Sequence, residues 1–213
     1  IPREQGIHYC EQIIYLPHSY QAKDDTREIS DKTLTRTDVG LPEAGFVFCC
    51  FNASCKISQK EFDIWMCLLQ QVEDSVLWLF SSNEWAQANL LTGAQKRGVA
   101  PERIIFSDRV SHADHLARYQ LADVFLDTFN YTADTQASDA LWAGLPLITR
   151  LGWGFPARVT GSLLSAIDLP ELIAKSESEY EQLALDLALN PERLAALKGK
   201  LAANRLTAPL FDS

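Results

Sequence analysis

FVFCCF, residues 46–51, is a continuous apolar run of strand length, and VLWLF at residues 76–80 is a second. Shorter apolar runs follow, with RIIF at 103–106, DVFL at 123–126 and LPLIT at 145–149. Runs without polar alternation are typical of strands that are covered on both faces, as in parallel sheets. These five runs therefore predict a parallel sheet of at least five strands.

Helix start signals stand between the apolar runs. Ser58 and Glu61 make a capping box before KEFDIWMCLLQQV, and Asn83 is placed to cap a helix that ends before Gly98. Further helices are predicted after Ser111, from Thr135 to Ala143, from Pro156, after Ser176 and from Pro191. Strands and helices that alternate at this spacing predict right-handed crossovers and a doubly wound, Rossmann-like α/β fold.

The first 45 residues lack this alternation. The stretch HYCEQIIYLPHSYQ (8–21) predicts one strand, and the polar segment from Gln21 to Gly40 predicts a loop-rich connection. We therefore expect residues 1–40 to be the end of a preceding lobe with its linker, and residues 41–213 to form the α/β domain. Three tryptophans at helix or strand positions are expected in its core: Trp65, Trp78 and Trp142.

Charge, hydropathy and the cysteine pattern argue against several classes of protein. The chain has 213 residues, 47% of them hydrophobic and 22% charged, with a net charge of -9, which argues against non-specific binding to nucleic acid or anionic membranes. The sequence has no run of about 18 apolar residues that would span a membrane. Its five cysteines form no CxxC pair, so we expect neither a disulfide framework nor a zinc site, but a reducing, cytoplasmic location. No secretory signal is visible, and since the first residue is Ile1, we expect the chain to be part of a longer protein.

Three loops follow the predicted strands at the edge where ligands bind in open parallel sheets: residues 52–56, 108–115 and 127–139. The basic residues of this region gather in or beside the first two loops: Lys56, Arg109, His112, His115 and Arg118. The third loop leads into a helix whose free N–H groups suit phosphate oxygens. A small anionic ligand such as a nucleoside diphosphate is one interpretation, and ordinary solvated loops are the other.

Single residues leave similar alternatives. Lys56 lies just before a helix N-terminus, which disfavours a cation unless an anion shares the site. His112 and His115 have i, i+3 spacing, but without a third ligand a metal site is less expected than a ring that packs on a base, or a surface histidine. Asp139 either caps its helix or contacts a ribose or another hydroxyl.

At these same loops the sequence resembles a known family. The matching stretches are YLPHSYQ (15–21), GLPEAGFVFCCFNASCKI (40–57), SVLWLF (75–80), RIIFSDRVSHADHLARYQLADVFLDT (103–128), ASDALWAGLPLIT (137–149), ARVTGSLL (157–164) and APLFDS (208–213). They resemble the C-terminal catalytic half of the O-linked N-acetylglucosamine transferases, including bacterial members with tetratricopeptide repeats. The plant Spindly-type O-fucosyltransferases belong to the same glycosyltransferase family.

The resemblance implies the C-terminal lobe of a two-lobed GT-B glycosyltransferase, which holds the nucleotide sugar and inverts the anomeric carbon without a metal or other cofactor. The expected donor is UDP-N-acetylglucosamine and the expected acceptors are Ser and Thr of proteins. In the family an N-terminal lobe supplies acceptor contacts and the groups that manage the acceptor proton, and repeats ahead of it recruit protein substrates. We therefore expect the isolated chain to be inactive. A degenerate, non-catalytic binding or interaction module and a GDP-fucose user remain as alternatives.

The resemblance also assigns residues. Lys56 matches the catalytic lysine that neutralises the diphosphate leaving group, where a fixed cation stabilises the charge that develops. Val110 falls where backbone groups read the base, and Asp139 matches an aspartate in the ribose region. His115 and Arg118 match family residues near the base and donor, and Thr135 matches a threonine that meets the phosphates. Their neighbours His112, Asp134 and Gln136 are further expected donor contacts.

The sequence departs from the family at the expected phosphate site. The family usually has Asn or Gln at Ala53 and Tyr at Cys55, and it commonly reads GHTT or AGTT where this chain has Ala-Asp134-Thr135-Gln. A carboxylate about 4 Å from a phosphate costs up to about 4 kcal/mol at an effective dielectric near 20. Asp134 therefore turns away, weakens donor binding or marks a lost reaction, and Asp134→Gly or Asp134→His is predicted to strengthen UDP binding.

Overall fold

Six strands form one parallel sheet in the computed structural model, which describes residues 1–21 and 23–212. They are β1 (Val47–Cys50), β2 (Val76–Phe80), β3 (Ile104–Ser107), β4 (Val124–Leu126), β5 (Leu147–Arg150) and β6 (Ile173–Ala174). Their order across the sheet is β3-β2-β1-β4-β5-β6, and every pair is parallel. The doubly wound α/β fold is thus confirmed, as are the five strands that the apolar runs predict.

Strand β1 lies inside the sheet, between β2 and β4, and is covered on both faces. All four of its residues are buried, and Phe48 pairs with Leu77 of β2 on one side and with Val124 of β4 on the other. The chain order reverses between β1 and β4. In open α/β sheets this reversal opens a crevice at the carboxyl ends of the strands, which is where ligands bind.

Seven α-helices within the described residues connect and cover the strands. They are α1 (Gln59–Gln71), α2 (Glu84–Lys96), α3 (His112–Tyr119), α4 (Thr135–Trp142), α5 (Val159–Ala166), α6 (Glu177–Leu189) and α7 (Pro191–Asn204). Helix α1 packs against α6, whereas α3 contacts α4 and α4 contacts α5. Short 3-10 turns lie at Arg3–His8, Thr37–Val39, Ser54–Lys56, Pro101–Arg103, Phe155–Ala157 and Pro170–Leu172.

The helix starts follow the predicted caps. Ser58 and Glu61 form the capping box of α1, and the Asn83 side chain accepts a hydrogen bond from the Ala86 amide at 2.9 Å. Ser111 and Ser176 cap α3 and α6 in the same way, and Pro191 begins α7. Each cap satisfies backbone N–H groups that a helix start leaves free, which is why these starts could be identified from local sequence.

Two local predictions are wrong, and one short strand was not predicted. Residues 9–21 form no strand, since no neighbouring strand pairs with them and apolar side chains such as Ile14 stay exposed. Pro156 lies in a separate 3-10 turn, and α5 begins three residues later at Val159. Strand β6 has only two residues, too few for a hydrophobic pattern, and it forms by pairing with Thr149 and Arg150 of β5.

The core contains the three predicted tryptophans. Trp65 and Trp78 are fully buried and Trp142 is nearly so. The Trp65 indole nitrogen donates a hydrogen bond to the hydroxyl of buried Tyr180 at 3.1 Å, which joins α1 to α6. The tryptophans are thus fixed inside the fold and do not form an exposed sugar platform.

A buried carboxylate, Asp127, connects the sheet to the loop that leads into α4. It directly follows β4 and accepts hydrogen bonds from the backbone amides of Thr128 and Ala133, both at 2.8 Å. It also accepts hydrogen bonds from the Thr149 hydroxyl at 2.7 Å and the Asn52 amide at 3.2 Å. Burial raises the pKa of Asp127, while these donors favour its charged form.

We predict that Asp127→Ala lowers the free energy of unfolding by about 3 kcal/mol or more, because it leaves two buried backbone N–H groups without acceptors. Urea denaturation measures this change. The matched control is Asp63→Ala on α1, whose carboxylate forms a surface ion pair with Arg97 and should contribute no more than about 1 kcal/mol. Equal effects of the two substitutions would contradict the role assigned to Asp127.

Candidate functional site

A cavity of about 350 Å³ opens at the carboxyl edge of the sheet, beside the point where the chain order reverses. The loop after β1, the loop before α3 and the first turns of α4 form its walls. Its lining residues are Phe51, Ala53, Phe80, Arg109, Val110, His112, His115, Arg118, Gln136 and Asp139. The cavity thus combines aromatic rings with cations and one carboxylate.

Arg118 is a buried cation in the wall of this cavity. Only 4% of the residue is exposed. Its guanidinium donates to the Ser107 hydroxyl at 2.6 Å and to the Asp108 carbonyl at 2.7 Å, and it lies 5.1 Å from the centre of the Phe51 ring. Within the described part of the chain no carboxylate forms an ion pair with it. A buried positive charge without a counter-ion makes the cavity favourable for an anion.

His115 forms a neutral aromatic wall next to this cation. Its Nδ1 accepts hydrogen bonds from Arg118 at 3.0 and 2.7 Å, so the neutral ring carries its proton on Nε2. The ring lies 5.4 Å from Phe51 and 4.8 Å from Tyr119, centre to centre. Burial first, and then the charge of Arg118, lower the pKa of His115 to about 4. The ring is therefore uncharged at neutral pH and offers a flat surface to a ligand.

Asp139 does not cap α4, because the helix begins four residues earlier, after Asp134. Its carboxylate is buried, and Oδ1 pairs with the Arg27 guanidinium at 2.5 Å. The other oxygen, Oδ2, lies 3.4 Å from Nε2 of His112, a residue that lines the cavity. Helix capping is thus excluded for Asp139, which instead forms a buried ion pair, and a contact with a ligand hydroxyl stays a prediction.

Asp134 at the start of α4 is paired with a cation. Its Oδ1 lies 2.6 Å from the Lys23 ammonium, and the Tyr20 hydroxyl donates to Oδ2. The Lys23 side chain is almost fully buried in this pair, and the hydrogen bond to Asp134, after burial, raises the pKa of Tyr20. Lys23 therefore neutralises the carboxylate at this helix start, through an ion pair that the sequence did not predict.

Lys56 lies beside the loop that leads into α4. Its ammonium donates to the carbonyl of Thr132 at 3.3 Å and lies 4.2 Å from the centre of the Tyr131 ring. No carboxylate among the described residues forms an ion pair with it. Thr132 is three residues before Thr135, the first residue of α4, so this second unpaired cation lies near the helix start.

The cavity brings together six of the residues predicted from the sequence: Val110, His112, His115, Arg118, Gln136 and Asp139. Lys56, Asp134 and Thr135 are not in its lining and lie along the adjoining loop and helix start. Sequence reasoning missed Lys23, Arg27 and Tyr131 as partners of these residues. The only signal for the two cations was the polar composition of the segment before residue 40, which indicates a loop without indicating what it contacts.

Other features of the described residues concern the site less directly. A second cavity of about 510 Å³ lies between the first 20 residues and α5, and its walls are largely apolar, with His18 and Arg158 as the basic exceptions. All five cysteines are free. Within residues 1–21 and 23–212, no helix combines the length and apolar character needed to cross a bilayer.

The parallel sheet with its edge cavity is the fold of a GT-B glycosyltransferase lobe. In a structural comparison, a glycosyltransferase of lipopolysaccharide biosynthesis, WaaG, aligns over 83% of this chain and 46% of its own, with a TM-score of 0.63 and 15% identity. That likeness concerns the fold alone. The sequence profile of glycosyl transferase family 41 matches residues 21–213, and the chain belongs to this family.

Individual relatives agree with the family. The chain is 39% identical over 218 residues to an Arabidopsis thaliana protein named probable UDP-N-acetylglucosamine–peptide N-acetylglucosaminyltransferase SEC, an alignment that covers 100% of this chain and 22% of that protein. A Caenorhabditis elegans protein named UDP-N-acetylglucosamine–peptide N-acetylglucosaminyltransferase is 35% identical, with 84% and 16% covered. A mutant O-GlcNAc transferase from Thermobaculum terrenum is similar in structure, with a TM-score of 0.75, 31% identity and coverage of 79% of this chain and 33% of its own. The chain thus spans about a fifth of the length of the curated relatives.

We predict that the His115 ring titrates near pH 4 and not near 6.5, as NMR of the ring Cε1–H signal measures. Because the folded pKa lies below the unfolded one, the unfolded chain takes up the proton first as the pH falls. The stability contributed by neutral His115 is therefore present above about pH 6.5 and is lost between about 6.5 and 4. His115→Gln should remove this part of the pH dependence. A His115 midpoint near 6.5 would show that the ring is not held neutral.

Proposed function

We propose that this chain is the donor-binding lobe of a protein O-glycosyltransferase that transfers N-acetylglucosamine from UDP-N-acetylglucosamine to Ser or Thr, with inversion at the anomeric carbon. The observation that carries the proposal is the pair of unpaired cations, Arg118 and Lys56, at the cavity and at the start of α4. The diphosphate of a bound nucleotide supplies the negatively charged partner that neither cation has among the described residues of the chain.

The remaining groups of the cavity suit a nucleoside. The neutral His115 ring, which packs on buried Phe51, provides a stacking surface for a base, and exposed Val110 presents backbone beside it. Asp139 lines the cavity, and its Oδ2, which is not the oxygen paired with Arg27, is an acceptor for a hydroxyl. The first-turn amides of α4, at Thr135 and Gln136, have no intrahelical acceptors and favour phosphate oxygens.

The proposed reaction places the largest charge change near Lys56. An acceptor hydroxyl oxygen attacks the anomeric carbon, the bond from that carbon to the β-phosphate oxygen breaks, and the hydroxyl proton passes to a base supplied by the acceptor-binding part of the protein, outside this chain. UDP departs with added negative charge on its β-phosphate. A fixed ammonium at that position stabilises the transition state more than the ground state, which is the condition for catalysis.

The names of the relatives support the choice of donor and acceptor. Both aligned relatives are named UDP-N-acetylglucosamine–peptide N-acetylglucosaminyltransferases, and this chain covers 22% and 16% of their lengths. Peptide recognition is accordingly proposed for the whole protein, with acceptor contacts outside this chain. The proposal also keeps residues 41–213 as the donor-binding lobe and a reducing, cytoplasmic location for its free cysteines.

One observation favours a second candidate, a lobe that binds a nucleotide sugar without transferring it. Ala53 lines the cavity with a methyl group where the resembled family usually has an amide side chain, so one hydrogen-bonding group toward the donor is missing. Gln136 in the same cavity and Asp134 beside it also depart from the family. This candidate shares the donor site and predicts nucleotide binding without turnover.

Calorimetric titration of the chain with UDP, UDP-N-acetylglucosamine and GDP tests the proposal. We expect the uridine nucleotides to bind more tightly than GDP, and Lys56→Met to weaken UDP binding about tenfold, since it removes one charge-assisted contact to phosphate. The matched control is Lys60→Met on α1, whose exposed ammonium pairs with Glu177 at 3.2 Å, and it should leave the affinity unchanged. Preference for GDP would favour a fucosyl donor, and absence of nucleotide binding would refute the donor-lobe function.

Substitutions of the two partners in the Lys23–Asp134 pair are predicted to change the affinity for UDP in opposite directions. Asp134→Asn frees the Lys23 ammonium and should strengthen UDP binding roughly fivefold, whereas Lys23→Met frees the carboxylate and should weaken binding by a similar factor. The double variant should bind UDP about as well as the parent chain. Calorimetry at low and high salt measures all three, and the differences should shrink at high salt. Changes of the same sign in both single variants would contradict this electrostatic account.

A further inference from the structure

Arg27 is a cation of the N-terminal strap, which we define as residues 23–32, and it is fixed from several sides. Its guanidinium pairs with Asp139 at 2.5 Å and donates to the Ser138 hydroxyl at 3.1 Å. The guanidinium carbon lies 5.5 Å from the Trp142 ring centre and 5.4 Å from that of Phe211. The Trp142 indole nitrogen in turn donates to the Arg27 carbonyl at 2.9 Å. The strap therefore holds the Arg27 guanidinium in one orientation against Ser138, Asp139 and Trp142 of α4.

The two oxygens of Asp139 have different surroundings. Oδ1 is taken by Arg27, while Oδ2 lies 3.4 Å from His112 Nε2, and both Asp139 and His112 line the cavity. The Asp139 side chain is only 4% exposed, so without Arg27 its charge would be buried and unopposed. Arg27 thus determines which oxygen remains available to a ligand and at what orientation.

Arg27 also changes the charge that an anionic ligand meets. An unpaired carboxylate in this cavity would repel a diphosphate, whereas a carboxylate neutralised by Arg27 accepts a hydrogen bond without adding net negative charge. Arginine suits this task because its planar, always charged guanidinium bonds to Asp139 and Ser138 at the same time. A carboxylate oxygen only accepts hydrogen bonds, so its ligand partner must be a donor such as a hydroxyl.

We propose that Arg27 is a positioning residue that holds Asp139 Oδ2 toward a ribose hydroxyl of the bound nucleotide and thereby makes the site selective for ribonucleotides. The proposal deepens the donor-binding function and rests on it. Selectivity follows because an analogue without the hydroxyl leaves a charged, buried acceptor unpaired, which is disfavoured more strongly than loss of a neutral contact.

The experiment compares the affinities of UDP, 2′-deoxy-UDP and 3′-deoxy-UDP by calorimetry. The parent chain should bind one of the deoxy analogues about tenfold more weakly than UDP, the loss expected for one hydrogen bond to a charged group. Arg27→Met should reduce that ratio to about threefold or less, and Arg27→Lys, which keeps the charge without the double hydrogen bond, should give a ratio between the two. Asp139→Ala should abolish the discrimination.

Arg205→Met is the matched control. The Arg205 guanidinium stacks on the same Trp142 ring at 5.4 Å and donates to the Trp142 carbonyl, but it makes no ion pair with Asp139 among the described residues. If Arg27 acted only through packing on Trp142, both arginine substitutions would change the ratio alike. Circular dichroism verifies that each variant is folded, and if Arg27→Met is not, the Arg27→Lys ratio carries the test.

The outcomes separate the two proposals. A parent chain that binds UDP and discriminates between the analogues, with Arg27 variants that lose this discrimination, supports the role of Arg27. A ratio unchanged from the parent's in a folded Arg27 variant, or a parent that binds UDP and both deoxy analogues equally, overturns the positioning role alone. A parent that binds none of the nucleotides overturns the donor-binding function and this inference with it.

Discussion

The hydrogen bonds of the Asp127 carboxylate hold the loop at the carboxyl edge of the sheet, and the candidate site depends on them. The carboxylate is fully buried after β4, and it accepts hydrogen bonds from the amides of Thr128 and Ala133, at either end of the loop that leads to α4. With both ends held by one group, the loop presents the Thr132 carbonyl to Lys56 and starts α4 at a defined place. A buried carboxylate is disfavoured unless donors surround it, so this loop and this aspartate stabilise each other.

A second constraint is the pairing of acids around α4 with cations of the N-terminal strap. Lys23 pairs with Asp134, and Arg27 pairs with Asp139, in both cases with little exposure of the cation. These pairs neutralise the two carboxylates of α4 and its start, while Arg118 and Lys56 form no ion pair with a carboxylate among the described residues. The cavity lining contains two arginines and one carboxylate, and because Arg27 pairs with that carboxylate, Asp139, the lining keeps a positive charge.

This division explains what the sequence could and could not predict. Strands and capped helices were predictable because each signal, such as Ser58 with Glu61, lies within a few residues of the element that it defines. The edge loops were predictable because topology places strand ends together. The pairs of Lys23 with Asp134 and of Arg27 with Asp139 join residues 111 and 112 positions apart, through a segment without regular structure. No local pattern encodes such contacts, and for the same reason the cation that pairs with Asp134 could not be predicted.

The balance of local and overall charge also decides how an anionic ligand meets the lobe. The chain carries a net charge of -9, which repels an anion at long range. At physiological salt the Debye length is about 8 Å, so most of that charge is screened before the ligand reaches the edge of the sheet. Within the cavity screening is weaker because Arg118 is buried, and its attraction acts over a few ångströms. An acidic lobe of this kind thus relies on short-range contacts, and the donor binding that we propose depends on the strap that neutralises Asp134 and Asp139.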